Sequence, residues 1–160
     1  MTTTTAPGFA DDEILLSEPT RSARLKWVIV VDTALEPGLQ ANAVALVSAS
    51  TGAAIAGLTG PDVPDASGHA HPGLPWGGCT VLGASAERLA TVRAKAVAPA
   101  AQAEGVWVAD LARFAQTTRV HEEYRTELAA TAPEHLGALA LSIVGPRAAV
   151  DSIVKKLRLL

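Results

Sequence analysis

The chain has 160 residues and a mass of 16.4 kDa, and 49% of its residues are apolar while 18% are charged. This length supports one hydrophobic core but not two ordinary domains, and the composition excludes a disordered chain. The formal net charge is −3, and the basic residues form no concentrated patch in the sequence, so nucleic acid is not an expected partner.

Neither a membrane span nor a membrane partner is predicted. The longest apolar runs are far shorter than the roughly 18 uninterrupted residues that a membrane helix needs. The first residues lack the basic start and apolar run of a secretion signal. The single cysteine, Cys79, cannot form an internal disulfide, which favours a reducing, cytoplasmic location.

The first 24 residues are predicted to form a flexible arm. They begin with a run of threonines and continue through Pro7 and Gly8 to the acidic residues 11–13. Their one apolar patch, residues 14–16, could dock on the body or on a partner subunit, but a disordered leader is the favoured interpretation. The remaining residues, 25–160, are predicted to form a single domain.

Strand-like and helix-like segments alternate along this domain. The β-branched run from Lys26 to Asp32 is typical of a strand buried on both faces, and the Ala-rich segment after Gly38 is typical of a helix. Further strands are predicted at 79–83, 106–110 and 138–144, with helices at 38–50, from Ser85 towards Gly105, and at 112–130 and 147–156. This order predicts an α/β domain with helices on the faces of one sheet.

The stretch from Gly52 to Gly78 is rich in Gly, Pro, Asp and Ser and is predicted to be irregular. Long loops in compact domains tend to be functional, so this stretch is a candidate site. His69 and His71 are metal-ligand types, but their spacing is weakly specific, and a turn-shaping role for His71 is favoured. No metal and no cofactor are therefore predicted.

Polar residues are expected to gather beyond the strand ends, where open α/β sheets bind ligands. Thr118, activated by Asp110 or His121, is the candidate catalytic group for hydrolysis or acyl transfer. The alternative is that Thr117 and Thr118 cap a helix and Asp110 merely ends a strand. Cys79 is interpreted as a buried structural thiol. The candidate ligand-binding residues are Asn42, His71, Trp76, Gln116 and Thr117.

Segments of this sequence resemble two protein families. The run Lys26 to Asp32, the turn Pro37-Gly38 and the helix Ala41 to Ala45 resemble the opening of the type II peptidyl-tRNA hydrolases. The motifs 60–62 (Gly-Pro-Asp), 71–76 (His-Pro-Gly-Leu-Pro-Trp) and 115–118 (Ala-Gln-Thr-Thr) are closer to an uncharacterised bacterial family, domain of unknown function 2000, over roughly 26–160. The resemblance implies a type II peptidyl-tRNA hydrolase-like fold with a mixed four-stranded sheet flanked by helices, and a homodimer.

The resemblance also implies where a site would lie. In the hydrolases a lysine stands at the start of the first helix, with an aspartate and a threonine nearby; Leu39, Asp110 and Thr118 stand at or near these positions here. One hypothesis is a small hydrolase or acyl-transfer enzyme acting on an aminoacyl- or peptidyl-like ester or amide. The other is a non-catalytic, dimeric module that binds a small ligand, and the missing lysine favours it.

Overall fold

The computed structural model describes residues 6–160, which contain one mixed five-stranded sheet and a short two-stranded ribbon. The sheet order is β5-β6-β1-β4-β7, in which β1 pairs parallel with β4 and antiparallel with β6, while β5 and β7 are antiparallel edge strands. The strands are β1 (Leu25–Asp32), β2 (Val63–Pro64), β3 (Ala70–His71), β4 (Cys79–Ala84), β5 (Trp107–Ala112), β6 (Ala138–Pro146) and β7 (Arg158–Leu159).

Five helices accompany the strands, and local sequence sets several of their ends. Pro37 occupies the first turn of the first helix, where its missing N–H costs nothing. The Ser85 side chain accepts a hydrogen bond from the Arg88 amide at the start of the second. The helices are α1 (Pro37–Ala54), α2 (Ala86–Ala96), α3 (Pro99–Ala103), α4 (His121–Ala130) and α5 (Arg147–Ile153). No helix in the described part of the chain is long and apolar enough to span a membrane.

The sheet separates two hydrophobic cores. On one face α1 packs Ala43 and Val47 against alternate residues of β1, including Ile29. On the other face α2 and α5 pack Leu89 and Val150 against the intervening β1 residues. Because β1 is covered on both faces, its sequence is continuously apolar rather than alternating. The prediction of a sheet flanked by helices is confirmed.

The α1-side core contains a chain of buried hydroxyl groups. The Trp27 indole N–H donates to Ser142 Oγ at 2.9 Å, Ser142 Oγ lies 2.6 Å from Thr51 Oγ1, and the Thr51 hydroxyl donates to the Val47 carbonyl at 2.7 Å. Thr51 and Ser142 are fully buried. Each hydroxyl and the indole N–H in this hydrogen-bonded series has a partner, so none of these polar groups is left unsatisfied in the core.

Three differences from the predicted elements have local causes. The sheet has five strands rather than four, because the chain reverses at Lys156, with a positive φ of 70°, and the two-residue β7 pairs with β4. The predicted helix over 112–130 is instead a 3-10 turn, Arg113–Gln116, followed by α4. The irregular stretch after Gly52 contains the end of α1 and the β2–β3 ribbon.

The described part of the N-terminal segment, residues 6–24, is docked on the body rather than detached from it. Phe9 is 7% exposed, its ring meets Trp76 edge-on at 4.6 Å, and its amide donates to the Ala56 carbonyl. Arg24 pairs with Glu13 and also donates to the Gly8 carbonyl. The composition of this segment predicts a flexible arm, whereas residues 6–24 are held on the body by the buried Phe9 ring and the Arg24 contacts; residues 1–5 lie outside the described residues.

Acid is expected to loosen this segment. The Arg24 guanidinium, with the Ala10 amide, lowers the pKa of Glu13 from 4.5 to about 2. A depressed carboxyl pKa stabilises the docked state above pH 4.5, and that contribution disappears as the pH falls through about 2. The protection factor of the Phe9 amide, which is the exchange rate corrected for its intrinsic pH dependence and is followed by NMR, should therefore fall over this range.

The matched control is Glu13→Gln, which keeps the hydrogen-bonding shape but cannot titrate. Its Phe9 exchange should be faster at neutral pH and should lack the acid-dependent component. Hydrogen bonds from Ser67 and His71 lower the pKa of Asp65 to about 2, so Asp65 titrates in the same range as Glu13. Because both proteins contain Asp65, its effect cancels in the comparison. Identical acid responses of the two proteins would contradict the assignment to Glu13.

Candidate functional site

A cavity of about 410 Å³ lies at the β5 edge of the sheet, between α1 and α4. This volume falls within the range of small-molecule sites. The cavity is deepened by the 3-10 turn after β5, which carries the chain away from the sheet before α4 begins. Its apolar lining consists of Leu46, Val47, Leu111, Ala115 and Val120, and its polar lining consists of Ser50, Asp110, Thr118, Arg119, His121 and Tyr124.

The three predicted catalytic residues, Asp110, Thr118 and His121, all border this cavity. The structure therefore brings them to one place. Their side chains are not arranged as a reactive triad, however, because two of the three are engaged in other contacts. No hydrogen bond joins any two of them within residues 6–160.

The Thr118 hydroxyl is occupied by the backbone. It donates to the Phe114 carbonyl at 2.7 Å, and the Thr118 amide donates to the same oxygen at 2.9 Å. The Thr117 hydroxyl makes a longer bond, 3.3 Å, to that carbonyl. Both threonines thus close the 3-10 turn that precedes them, and they do not cap the following helix as the alternative interpretation has it, since the N-cap of α4 is Val120.

The Asp110 carboxylate lies on the opposite face of the sheet from α1. Side chains alternate along β5, so Trp107 and Leu111 pack into the α1-side core while Val108 packs into the other. On that other face Arg93 Nε donates to Asp110 Oδ2 at 2.5 Å. A carboxylate held by this pair is poorly placed to act as a base for Thr118.

His121 and Tyr124 form one wall of the cavity. They are separated by one turn of α4, and their rings lie 6.2 Å apart with a tilt of 35°. The start of α4 is held by Glu123, whose carboxylate accepts from the Arg119 and Val120 amides at 3.3 and 3.4 Å. This capping fixes Arg119 and His121 at the cavity rim.

The predicted ligand-binding residues do not converge on the cavity. Trp76 is buried against Phe9, and its indole N–H donates to the Gly57 carbonyl at 2.8 Å, which is the placement of a core residue. His71 lies exposed on β3 and is not among the residues that line the cavity. Asn42 is exposed on α1, one turn before Leu46, and Gln116 and Thr117 are exposed on the 3-10 turn without bordering the cavity.

The β2–β3 ribbon is organised by Asp65 rather than by a metal. One Asp65 oxygen accepts from the Ser67 amide, the Ser67 hydroxyl and the His69 amide, and the other lies 3.2 Å from His71 Nε2. Among residues 6–160 no three His, Cys, Asp or Glu side chains are grouped closely enough to hold a metal ion. These contacts instead build a tight turn.

Comparison with known proteins places the chain in a family. Residues 25–160 match the family model described as "Protein of unknown function (DUF2000)". The chain belongs to this family. A solved structure of a protein of unknown function from Agrobacterium tumefaciens strain C58 is similar, with a TM-score of 0.73 and 16% identity over 86% of this chain and 98% of that chain. No curated protein matches the chain.

These comparisons confirm the predicted membership of domain of unknown function 2000. At 16% identity the similar structure supports the fold alone. Within the fold, sequence reasoning missed several cavity residues, notably Leu46, Arg119 and Tyr124. Arg119 directly follows the predicted Thr117-Thr118 pair, and Leu46 lies one helical turn after Asn42. Their closeness to predicted site residues is the sequence signal that could have identified them.

Cys79 is expected to be unreactive despite its position. The residue is exposed at the start of β4, rather than buried as predicted, yet desolvation by the surrounding protein raises the pKa of its thiol from 9.0 to about 12. Because the thiolate is the nucleophile and a thiolate of raised pKa is rarer but more nucleophilic, alkylation by iodoacetamide at pH 8 should be about tenfold or more slower than that of a free thiol. Unfolding in urea should restore the ordinary rate. Equal rates in the folded and unfolded protein would contradict this prediction.

Proposed function

We propose that the protein is a non-catalytic module that binds a small ligand in the cavity between α1 and α4. The observation that carries this proposal is the Thr118 contact. The hydroxyl of this candidate nucleophile donates a hydrogen bond to the Phe114 carbonyl at 2.7 Å, although Thr118 borders a cavity of ligand size. A concave site that combines apolar surface with convergent polar groups is the usual form of a binding pocket, and this cavity is lined by both.

Two further features support binding over catalysis. The Asp110 carboxylate is paired with Arg93 on the opposite face of the sheet, so it is not available as a base. Leu39 stands where the resembling hydrolases carry a lysine, and it is 42% exposed in the first turn of α1. A leucine cannot polarise a carbonyl or bind an oxyanion.

The test is a thermal-shift screen of small molecules with a cavity-filling variant. Leu46 lines the cavity and is 43% exposed, so Leu46→Trp can enter the cavity from the surface of α1. A ligand that raises the Tm of the wild-type protein should have no effect on Leu46→Trp. The matched control is Ala45→Trp, an exposed position on the same helix outside the cavity lining, which should keep the response.

The outcomes separate the cavity from the rest of the surface. Stabilisation lost only in Leu46→Trp supports a ligand in this cavity. Stabilisation retained in both variants places the ligand elsewhere and overturns the proposal. Circular dichroism of the two variants without ligand checks that each is folded.

A second candidate is the hydrolase or acyl-transfer enzyme acting on an aminoacyl- or peptidyl-like ester or amide. The observation in its favour is that Thr118 and His121 border the same cavity. Its reaction requires the Thr118 hydroxyl to leave the Phe114 carbonyl and turn towards His121. Hydrolysis of N-acetyl-aminoacyl esters above background, abolished in Thr118→Val but retained in Thr117→Val, would replace the binding proposal with this one.

We also propose that the fold is related to that of the type II peptidyl-tRNA hydrolases and that the protein is a cytoplasmic homodimer. The support is the order of β1, α1 and the later strands together with the sequence motifs they carry. Leu39, exposed in the first turn of α1 and outside the cavity lining, offers apolar surface to a second copy. Light scattering during size-exclusion chromatography measures the mass, and a monomer at high concentration would contradict the dimer.

A further inference from the structure

The cavity carries polar side chains that the protein itself does not use. Within residues 6–160, the Arg119 guanidinium, the His121 ring and the Tyr124 hydroxyl make no hydrogen bond to another protein group, although all three side chains belong to the cavity lining. Among the described residues, Arg119 donates one hydrogen bond, and it comes from the backbone amide. Three donors are therefore free to meet a ligand at one end of the cavity.

The carboxylates nearest in sequence and space to Arg119 already have partners. Asp110 is paired with Arg93, and Glu122 with Arg125. Glu123 accepts from the Arg119 and Val120 amides as the cap of α4. Within residues 6–160 the Arg119 guanidinium thus has no carboxylate partner at the cavity rim, although the charge of Glu123 lies close by.

Apart from Ser50, Asp110 and Thr118, the remainder of the lining is apolar. Leu46 and Val47 from α1 face Leu111 from β5 and Ala115 from the 3-10 turn, with Val120 at the rim. A ligand that complements this surface has an apolar body and a negative charge at one end. Arginine recognises a planar carboxylate through two parallel hydrogen bonds, which a neutral amide cannot match in strength.

Resting on the proposed binding function, we propose that this cavity selects small carboxylic acids with an apolar body, and that Arg119 is the residue that recognises the carboxylate. His121 and Tyr124 donate further hydrogen bonds to the same group. The apolar body packs between α1 and the 3-10 turn.

The experiment compares phenylacetate with phenylacetamide, which has the same size and shape but no charge. Each is titrated into uniformly labelled protein, and amide shifts of the cavity residues are followed by NMR. Phenylacetate is expected to bind about tenfold or more tightly than phenylacetamide, since a hydrogen bond between charged groups is roughly twice as strong as a neutral one. In Arg119→Gln this preference should disappear.

Arg125→Gln is the matched control. It removes the same charge from α4, six residues further along the chain, but Arg125 pairs with Glu122 and is not part of the cavity lining. The preference for phenylacetate should survive in this variant. If Arg125→Gln reduced the preference as much as Arg119→Gln, general electrostatic attraction would explain it and the role of Arg119 would be overturned.

Failure of this inference differs from failure of the binding function. Equal binding of the two compounds to the cavity of the wild-type protein would overturn carboxylate selection and leave the binding function supported. No shift of any cavity residue with either compound at millimolar concentration would overturn carboxylate selection and count against the binding function as well.

Discussion

Replacing Gly73 by alanine is expected to destabilise the protein and to disrupt the loop that joins α1 to β4. A Cβ atom on Gly73 would lie 1.8 Å from the Gly60 carbonyl oxygen and 2.7 Å from that of Pro61. Both neighbours are backbone atoms, so no side chain can move aside. Overpacking of this kind costs about 1–3 kcal/mol or more.

The clash would also break the contacts that hold the loop closed. The Gly73 amide donates to Asp62 Oδ1 at 3.0 Å, and the Gly60 amide donates to the Leu74 carbonyl at 2.9 Å. Chemical denaturation should show the loss of stability, and NMR should show changes at residues 58–76. The strands of the main sheet should keep their shifts.

Gly52→Ala provides the control for this substitution. Gly52 is exposed in the last turns of α1, and a Cβ there meets no atom within 4 Å. Alanine in an open helical position should stabilise the protein by about 0.5–1 kcal/mol. Equal effects of the two substitutions would mean that the close approach of Gly73 to Gly60 does not exist in solution.

Phe9→Ala is expected to undock the N-terminal segment. Phe9 packs its ring against Trp76 and is 7% exposed, and removing a buried phenylalanine side chain costs about 3–5 kcal/mol. This value is an upper limit here, since the segment can detach and leave the rest of the fold intact. Undocking would expose one edge of Trp76 to water.

Two measurements follow the change. Tryptophan fluorescence should shift to the red, and protease cleavage at Arg21 or Arg24 should accelerate in Phe9→Ala. Leu15→Ala, in the same segment but 54% exposed, should change the stability by less than about 0.5 kcal/mol and leave cleavage unaltered. A cleavage rate in Phe9→Ala equal to that of the wild-type protein would contradict the docking.

Much of the sheet could be predicted because most of its strands have a recognisable local sequence pattern. Lys26 to Asp32 is a continuous β-branched run, and it is the central strand β1. The strand β7 could not be predicted, since two residues, Arg158 and Leu159, carry no periodicity, and their pairing with β4 depends on the backbone turn at Lys156. The docking of Phe9 depends on Trp76, a partner 67 residues away that no local pattern indicates.

The candidate site was predicted in location but not in detail. The expectation that Asp110, Thr118 and His121 gather beyond the strand ends is consistent with the cavity they border. The direction of the Asp110 carboxylate depends on which face of β5 it occupies and on Arg93 across the sheet. A single sequence shows that side chains alternate between the two faces of a strand, but it does not show which of the two cores each face packs against.

The strand order constrains how the chain can fold while it is being synthesised. β6 lies between β5 and β1, so β5 emerges from the ribosome before the strand that joins it to the sheet exists. Until residues 138–146 emerge, the parallel β1–β4 pair is the only part of the main sheet that the described strands can form, and β5 has no neighbour in that sheet. Pairings between such distant segments form slowly. The domain therefore folds as a unit only after β6 has emerged, and chains stalled before β6 should be the ones that aggregate or recruit chaperones.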